Sequence, residues 1–441
     1  MPALTPARAL APLSGVGRGA FFLLLLGSLN LWACARPVPA EILNQPMAVS
    51  FLPAAGELLT AAGDRLTPEG LRQRAAGAAY ILVGESHGNP CDHEAEARII
   101  TLLAHGKTLP VVGLEMVPAS QNPVLREFSE GAFAPEELER RLDWKTNWGH
   151  PFARYLPVFR AIRDWKLSVF GLNVPPGVIR RLSAAAMQNA TAEDAVAALS
   201  AVDRALLPAR ILPPAPEQLD FLREVLGQHS QMKTQAGAKI RNADDPRQVA
   251  RFLLIQSVWD SAMAEQAVSA RKGSGRPVVV LAGAAHVEGG LGIARRIRAL
   301  DPGAEVLLIS PWRGDALDKA DAEVRVYCPE SFESRMGMTL VSRPWGQGFE
   351  YVLGEVKRGS KAETAGLRPG DVVERVGGHR MRSLAAMHMA GSDAFREKKG
   401  LTLVIRRGAD CFEVDLGPLG QGGSGQGGGQ QAAQPVPAGE K

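Results

Sequence analysis

Cysteine is scarce in this chain: four in 441 residues, too few to staple a protein of this length into a disulfide scaffold. Cys91, Cys328 and Cys411 fall in three separate segments, and no structural disulfide is expected among them. Charge of one sign is lacking too. Fifty basic residues against forty-six acidic ones leave a net +4 with no basic run, which argues against a nucleic-acid partner. No apolar run is long enough for a mature membrane-spanning helix, so a multi-span membrane protein is excluded. What is present is ordinary for a globular chain, with 46% apolar and 22% charged residues. At roughly 150 residues per domain the length allows about three units.

The two ends do not read as fold. Residues 1–34 have the order of an export signal: Arg8 and Arg18, an apolar run from Ala20 to Leu26, then Leu31-Trp32-Ala33-Cys34. A small residue before Cys resembles the bacterial lipobox, although Trp32 stands where a small residue is usual. That resemblance implies lipidation of Cys34, a membrane anchor, and export to the bacterial cell envelope, at the outer membrane facing the periplasm. The plain alternative is a signal cut elsewhere. Residues 35–64, with Pro37, Pro39, Pro46 and Pro53, read as a tether, and the Gly/Gln-rich stretch 420–441 as a disordered tail.

Between 65 and 325, short apolar runs alternate with helical patterns. Strands are expected at Ala79–Val83, Val111–Leu114, Ser168–Leu172, Pro277–Ala282 and Glu305–Ile309, with helices such as Asp92–His105 and Leu291–Leu300 between them. Continuous apolar runs suit strands covered on both faces. The expected class is therefore α/β, a mainly parallel sheet flanked by helices. Polar residues gather at the carboxyl ends of these strands: Gly84-Glu85-Ser86-His87, Glu115, Asn173 and Gly283-Ala284-Ala285-His286. Ligands bind at that edge in open α/β sheets. His87, His286 and Glu115 are candidate ligands for a divalent metal such as zinc. With Glu85 they also form a candidate acid–base set for a hydrolase. Each histidine on its own could simply cap a helix. No His-Glu-x-x-His and no phosphate-binding Gly-x-x-x-x-Gly-Lys-Ser/Thr occurs.

The run Gly84-Glu85-Ser86-His87-Gly88-Asn89-Pro90, followed by His93, resembles the first motif of the ChaN family of haem-binding lipoproteins. That family lies in the Tiki/TraB and erythromycin-esterase-like superfamily, which carries paired Gly-x-x-His motifs, and Gly283–His286 is the second. Asp143-Trp144, Trp148-Gly149, Pro151, Tyr155 and Pro157 resemble the ChaN middle section. The resemblance covers about 65–315 and implies haem binding linked to iron acquisition. It leaves the iron's partner open among His87, His93, Tyr155 and His286. Tyr155 is the best placed of the four tyrosines, unless it and its aromatic neighbours only pack a helix on the sheet. His87 and His93, near a helix start, could instead hold a haem propionate. The same superfamily contains enzymes, so a metal-dependent or acid–base hydrolase is the alternative. Cys328-Pro329 resembles a haem-responsive dipeptide, but two residues more readily mark a turn.

Residues 330–419 form a separate unit. Gly359-Ser360-Lys361-Ala362-Glu363-Thr364-Ala365-Gly366-Leu367-Arg368-Pro369-Gly370-Asp371-Val372-Val373 resembles a bacterial PDZ domain, a small mixed β/α module. The resemblance implies a partner's C-terminal peptide added as a strand. The Met336-Gly337-Met338 loop would hold its carboxylate, Thr339 and Leu340 would continue the edge, and Met387 would line the groove. Otherwise the module stabilises the chain or builds a homodimer. The Gly-Asn-Ser-Gly-Gly of HtrA-type proteases is missing.

Overall fold

The computed structural model describes residues 49, 51, 53–219, 221–223, 226, 245–314, 317–345 and 348–418. Cys34, the export segment and the Gly/Gln-rich tail lie outside them. Seven strands form the first sheet: β1 (Glu57–Thr60), β2 (Tyr80–Glu85), β3 (Val111–Pro118), β4 (Val169–Asn173), β5 (Val278–Gly283), β6 (Val306–Trp312) and β7 (Val324–Tyr327). Their order is β1-β7-β6-β2-β5-β3-β4. Every neighbouring pair from β7 to β4 is parallel, whereas β1 runs antiparallel to β7, so the sheet is mixed.

The apolar runs explain the layers. β2 and β5 are buried along their whole length. Ile81, Val83, Val279 and Leu281 face one core, with helices Pro90–Ala104 and Phe152–Asp164. Tyr80, Leu82, Val278 and Val280 face the other, with helices Pro246–Ser274 and Ile293–Leu300. This is the alternation of a strand whose two faces are both covered.

Two expectations need correcting. The segment read as a tether supplies β1, because Leu58 and Leu59 each find an apolar partner set, one on either side of the sheet. Cys91 and Cys328 form a disulfide with Cα atoms 5.6 Å apart, although 237 positions separate them. The fold brings them together by setting the end of β7 beside the start of helix Pro90–Ala104, where Asn89 Nδ2 donates to the Pro329 carbonyl at 2.9 Å.

The second sheet is antiparallel. It contains β8 (Ser331–Ser334), β9 (Met338–Trp345), β10 (Gly348–Val356), β11 (Val372–Val376), β12 (His379–Arg380), β13 (Gly400–Arg407) and β14 (Asp410–Pro418). The order is β14-β13-β11-β10-β9-β8, with β12 on β11. Ser360 Oγ caps helix Lys361–Thr364 through the Glu363 N–H, and buried Asp371 takes both arms of Arg407 at 2.7 and 2.8 Å. Helix Leu384–Arg396 packs on this sheet.

The residues expected to receive a peptide are occupied within the chain. β8 pairs along β9, Ser331 opposite Val341 and Ser334 opposite Met338, which covers the edge at Thr339 and Leu340. Ser334 accepts from the Met336 N–H through its hydroxyl and from the Gly337 N–H through its carbonyl. Met336, Met338, Leu340 and Met387 are buried in the core of this unit. Among the described residues no helix is long and apolar enough to cross a membrane.

Candidate functional site

β2 ends on Glu85, and the next four residues turn into helix Pro90–Ala104. Asn89 Oδ1 caps that helix through the Cys91 N–H, and Pro90 occupies its first turn, where a missing N–H costs nothing. Asp92 Oδ2 accepts from the Ser86 N–H at 2.7 Å, and Arg313 clamps both Asp92 oxygens and Ser86 Oγ. The turn is therefore held from two sides.

It presents His87. The Nδ1 of His87 lies 2.7 Å from Glu85 Oε1, and the ring packs on Trp148 and His150 at centroid distances of 4.7 and 5.1 Å. The glycine of the second motif makes this possible. A Cβ on Gly283 would stand 3.1 Å from His87 Cε1, tighter than an ordinary contact.

A second constellation sits one strand away. Glu115 Oε2 accepts from the Gly283 N–H at 2.6 Å, and Glu115 Oε1 lies 3.6 Å from His286 Nε2. His286 Nδ1 meets Asp260 Oδ1 at 2.6 Å, and Asp260 Oδ2 meets fully buried Arg296 at 3.0 Å. Glu85 thus orients His87 and Asp260 orients His286, with Glu115 facing His286 as a nearby charge. Tyr155 is 1% exposed. Its hydroxyl accepts from Trp148 Nε1 at 2.9 Å and donates to Glu85 Oε1 at 3.2 Å. His93 is wholly buried, with its ring 4.2 Å from that of Tyr155.

The electrostatics sort these groups. Burial works against protonated His87, but the hydrogen bond to Glu85 and the charges of Glu115 and Glu85 outweigh it, so its pKa is raised. Burial also opposes protonated His286, but the Glu115 and Asp260 carboxylates prevail and lift it to about 9. His150 goes the other way. Burial, and then the neighbouring His87 charge, lower it to about 4, so its imidazole is uncharged at neutral pH. Burial, then the Glu85 charge, hold the Tyr155 phenol far above its usual range.

Residues 71–297 match the family described as haem-binding uptake, Tiki superfamily, ChaN. The chain belongs to the ChaN family. Among solved structures it is similar to ChaN of Campylobacter jejuni with cofacially bound haem, at 17% identity and a TM-score of 0.47, over 61% of this chain and 95% of that one. It is also similar to an erythromycin esterase mutant, EreC, in its open conformation, at 13% identity and 0.35, over 67% and 82% of the two chains. The type III effector HopBA1 matches at 11% and 0.34, over 60% and 93%. No curated protein matches the chain.

In this ChaN-family chain three participants escape a reading by motif. His150 follows the Trp148-Gly149 pair and has no pattern of its own. Asp260 comes from the middle of helix Pro246–Ser274, far from any strand end. Glu96 stands three residues after His93, a spacing that puts both on one helix face and could have been noticed.

Proposed function

We propose that the chain binds haem at the strand-end cleft, as an exported, Cys34-anchored protein of iron acquisition or handling. His150 donates to the iron and His87 holds a propionate. The observation that carries this reading is the pairing of two adjacent imidazoles of opposite tendency, one uncharged and one drawn toward the cation, at the strand-end edge. A free-base ring nitrogen suits iron, and a cation beside a helix start suits a carboxylate. The His87 side chain is 30% exposed, whereas Tyr155, His93 and His286 are buried. His87 and His150 are both part-exposed, and the Trp148 ring packs against both of them. When bound, haem would supply a redox-active, Lewis-acidic iron.

The protein's own residues do the positioning. Glu85 fixes His87 through Nδ1, and Tyr155 ties Glu85 to Trp148. Hemin titration of the full chain tests the assignment. His150→Ala should alter the Soret band, and His87→Ala should weaken uptake while leaving the band position. Tyr155→Phe should leave the band where it is. Hemin that fails to bind at micromolar protein refutes the function. A band that moves with Tyr155→Phe but not with His150→Ala refutes the assignment.

The C-terminal unit is read as a PDZ-like module for a partner's C-terminus. Its capped Ser360 helix and the Asp371 turn support that reading. Its receiving edge is covered by β8, so a peptide adds there only when β8 yields.

A further inference from the structure

We infer that Glu85, His93 and Glu96 form a buried site for one divalent transition-metal ion of the zinc class, lying behind the face that carries His87. Glu85 is the last residue of β2, and His93 and Glu96 stand one turn apart on helix Pro90–Ala104. One ligand atom from each lies within 4.8 Å of the others, and none of the three residues is more than 2% exposed.

The hydrogen-bond accounting points to a cation. His93 Nε2 faces the His87 carbonyl at 3.4 Å. A carbonyl only accepts, so in the neutral ring the proton belongs on Nε2 and Nδ1 is a bare lone pair. That lone pair faces Glu96 Oε2 at 3.2 Å, and Glu85 Oε2 lies at the same distance from Nδ1 but out of hydrogen-bonding direction. When both carboxyls are ionised the three crowded acceptors repel, and one proton shared between Glu96 and the ring relieves only one of the contacts. A second proton on Nδ1 can serve only one carboxylate well. Glu85 Oε2 has no hydrogen bond, although it is sealed from water, and neither has Glu96 Oε1. Leaving such oxygens unpaired is costly. A cation among the three groups removes the conflict.

The geometry agrees. Ligand atoms about 2.0 Å from a tetrahedral zinc ion lie about 3.3 Å apart, close to the two 3.2 Å separations here. A ring nitrogen backed by a carbonyl is the usual support of a metal-bound histidine. One imidazole with two carboxylates is a donor set for zinc or another first-row divalent ion. The ion takes the place of any proton on Nδ1, so binding releases protons. Asp92 does not take part, because Arg313 holds both its oxygens. The inference does not depend on haem binding, although Glu85 serves both faces.

Zinc titration of the chelator-treated full chain, without hemin, tests it. The expected result is one ion retained per chain after gel filtration. Affinity should fall at least about tenfold in His93→Gln and in Glu96→Gln, while His286→Ala retains the ion. X-ray absorption at the zinc edge of the wild type should show nitrogen and oxygen neighbours only, and it serves if the variants do not fold. Natively folded wild type that retains no zinc would establish a proton-shared cluster and overturn the site. Retention unchanged in both variants, or lost in His286→Ala, would also overturn it, as would sulfur neighbours at the edge.

Discussion

Replacing Cys91 and Cys328 together by alanine tests how the first sheet is held. The bond closes a loop of 237 positions. Chain-entropy reasoning assigns a loop of that length about 5 kcal/mol at 25 °C, and measured bonds more often deliver about 2–4 kcal/mol. Net stabilities of whole domains are about 5–15 kcal/mol, so either figure is a large share. In a domain of this size each kcal/mol moves the melting midpoint by about 2–4 °C. The double variant should therefore melt about 5–15 °C below wild type under non-reducing conditions. The readout is far-ultraviolet circular dichroism on heating, with near-ultraviolet spectra at 20 °C checking that both proteins start native. A pair of curves within about 1 °C of each other would refute the reasoning, because the link would then constrain nothing that unfolding releases.

Two further outcomes follow from the site and from the second sheet. His286 has a folded pKa of about 9, above an unfolded value of about 6.5, so its stabilisation is full below about pH 6.5 and is lost as pH rises through about 9. The urea midpoint of the wild type should decline across that window, and Asp260→Asn, which removes one of the two raising carboxylates, should flatten the decline. A slope identical in both proteins would reject the Asp260–His286 coupling. Peptides with a small or medium apolar C-terminal residue should bind the full chain weakly. They should bind better in Phe332→Pro, where β8 cannot keep its pairing with β9. Amidating the peptide should then cost about 2 kcal/mol by fluorescence polarisation, and equal binding of both forms would exclude carboxylate capture.

What could be read from the residues, and what could not, follows from interaction range. β2 to β6 announce themselves because a strand covered on both faces must be apolar throughout. Their polar endings were legible for the same reason, since Glu85, Glu115 and His286 break runs that have no local need of them. β1 and β7 are four residues each and carry charged members, so nothing local separates them from loop. Their pairing is decided only when the rest of the sheet exists. The Cys91–Cys328 bond is hidden in the same way, being a product of topology rather than spacing. Tyr155 was recognisable as part of the site, but its burial was not, because that depends on Trp148 and Glu85 closing over its hydroxyl from two different segments. The covering of β9 by β8 was equally invisible, as the residues that fill the edge are too few to show a period.

The pairing of Glu57 with Tyr327 fixes where the chain enters and leaves the first sheet. β7 runs parallel to β6 and β2, so Tyr327 and Glu85 lie at the same end of the strands, and antiparallel β1 begins at that end too. Both gateways of the domain therefore open on the rim that carries His87. The second sheet starts from the same rim, with Glu333 of β8 bridging Arg154 and Lys357.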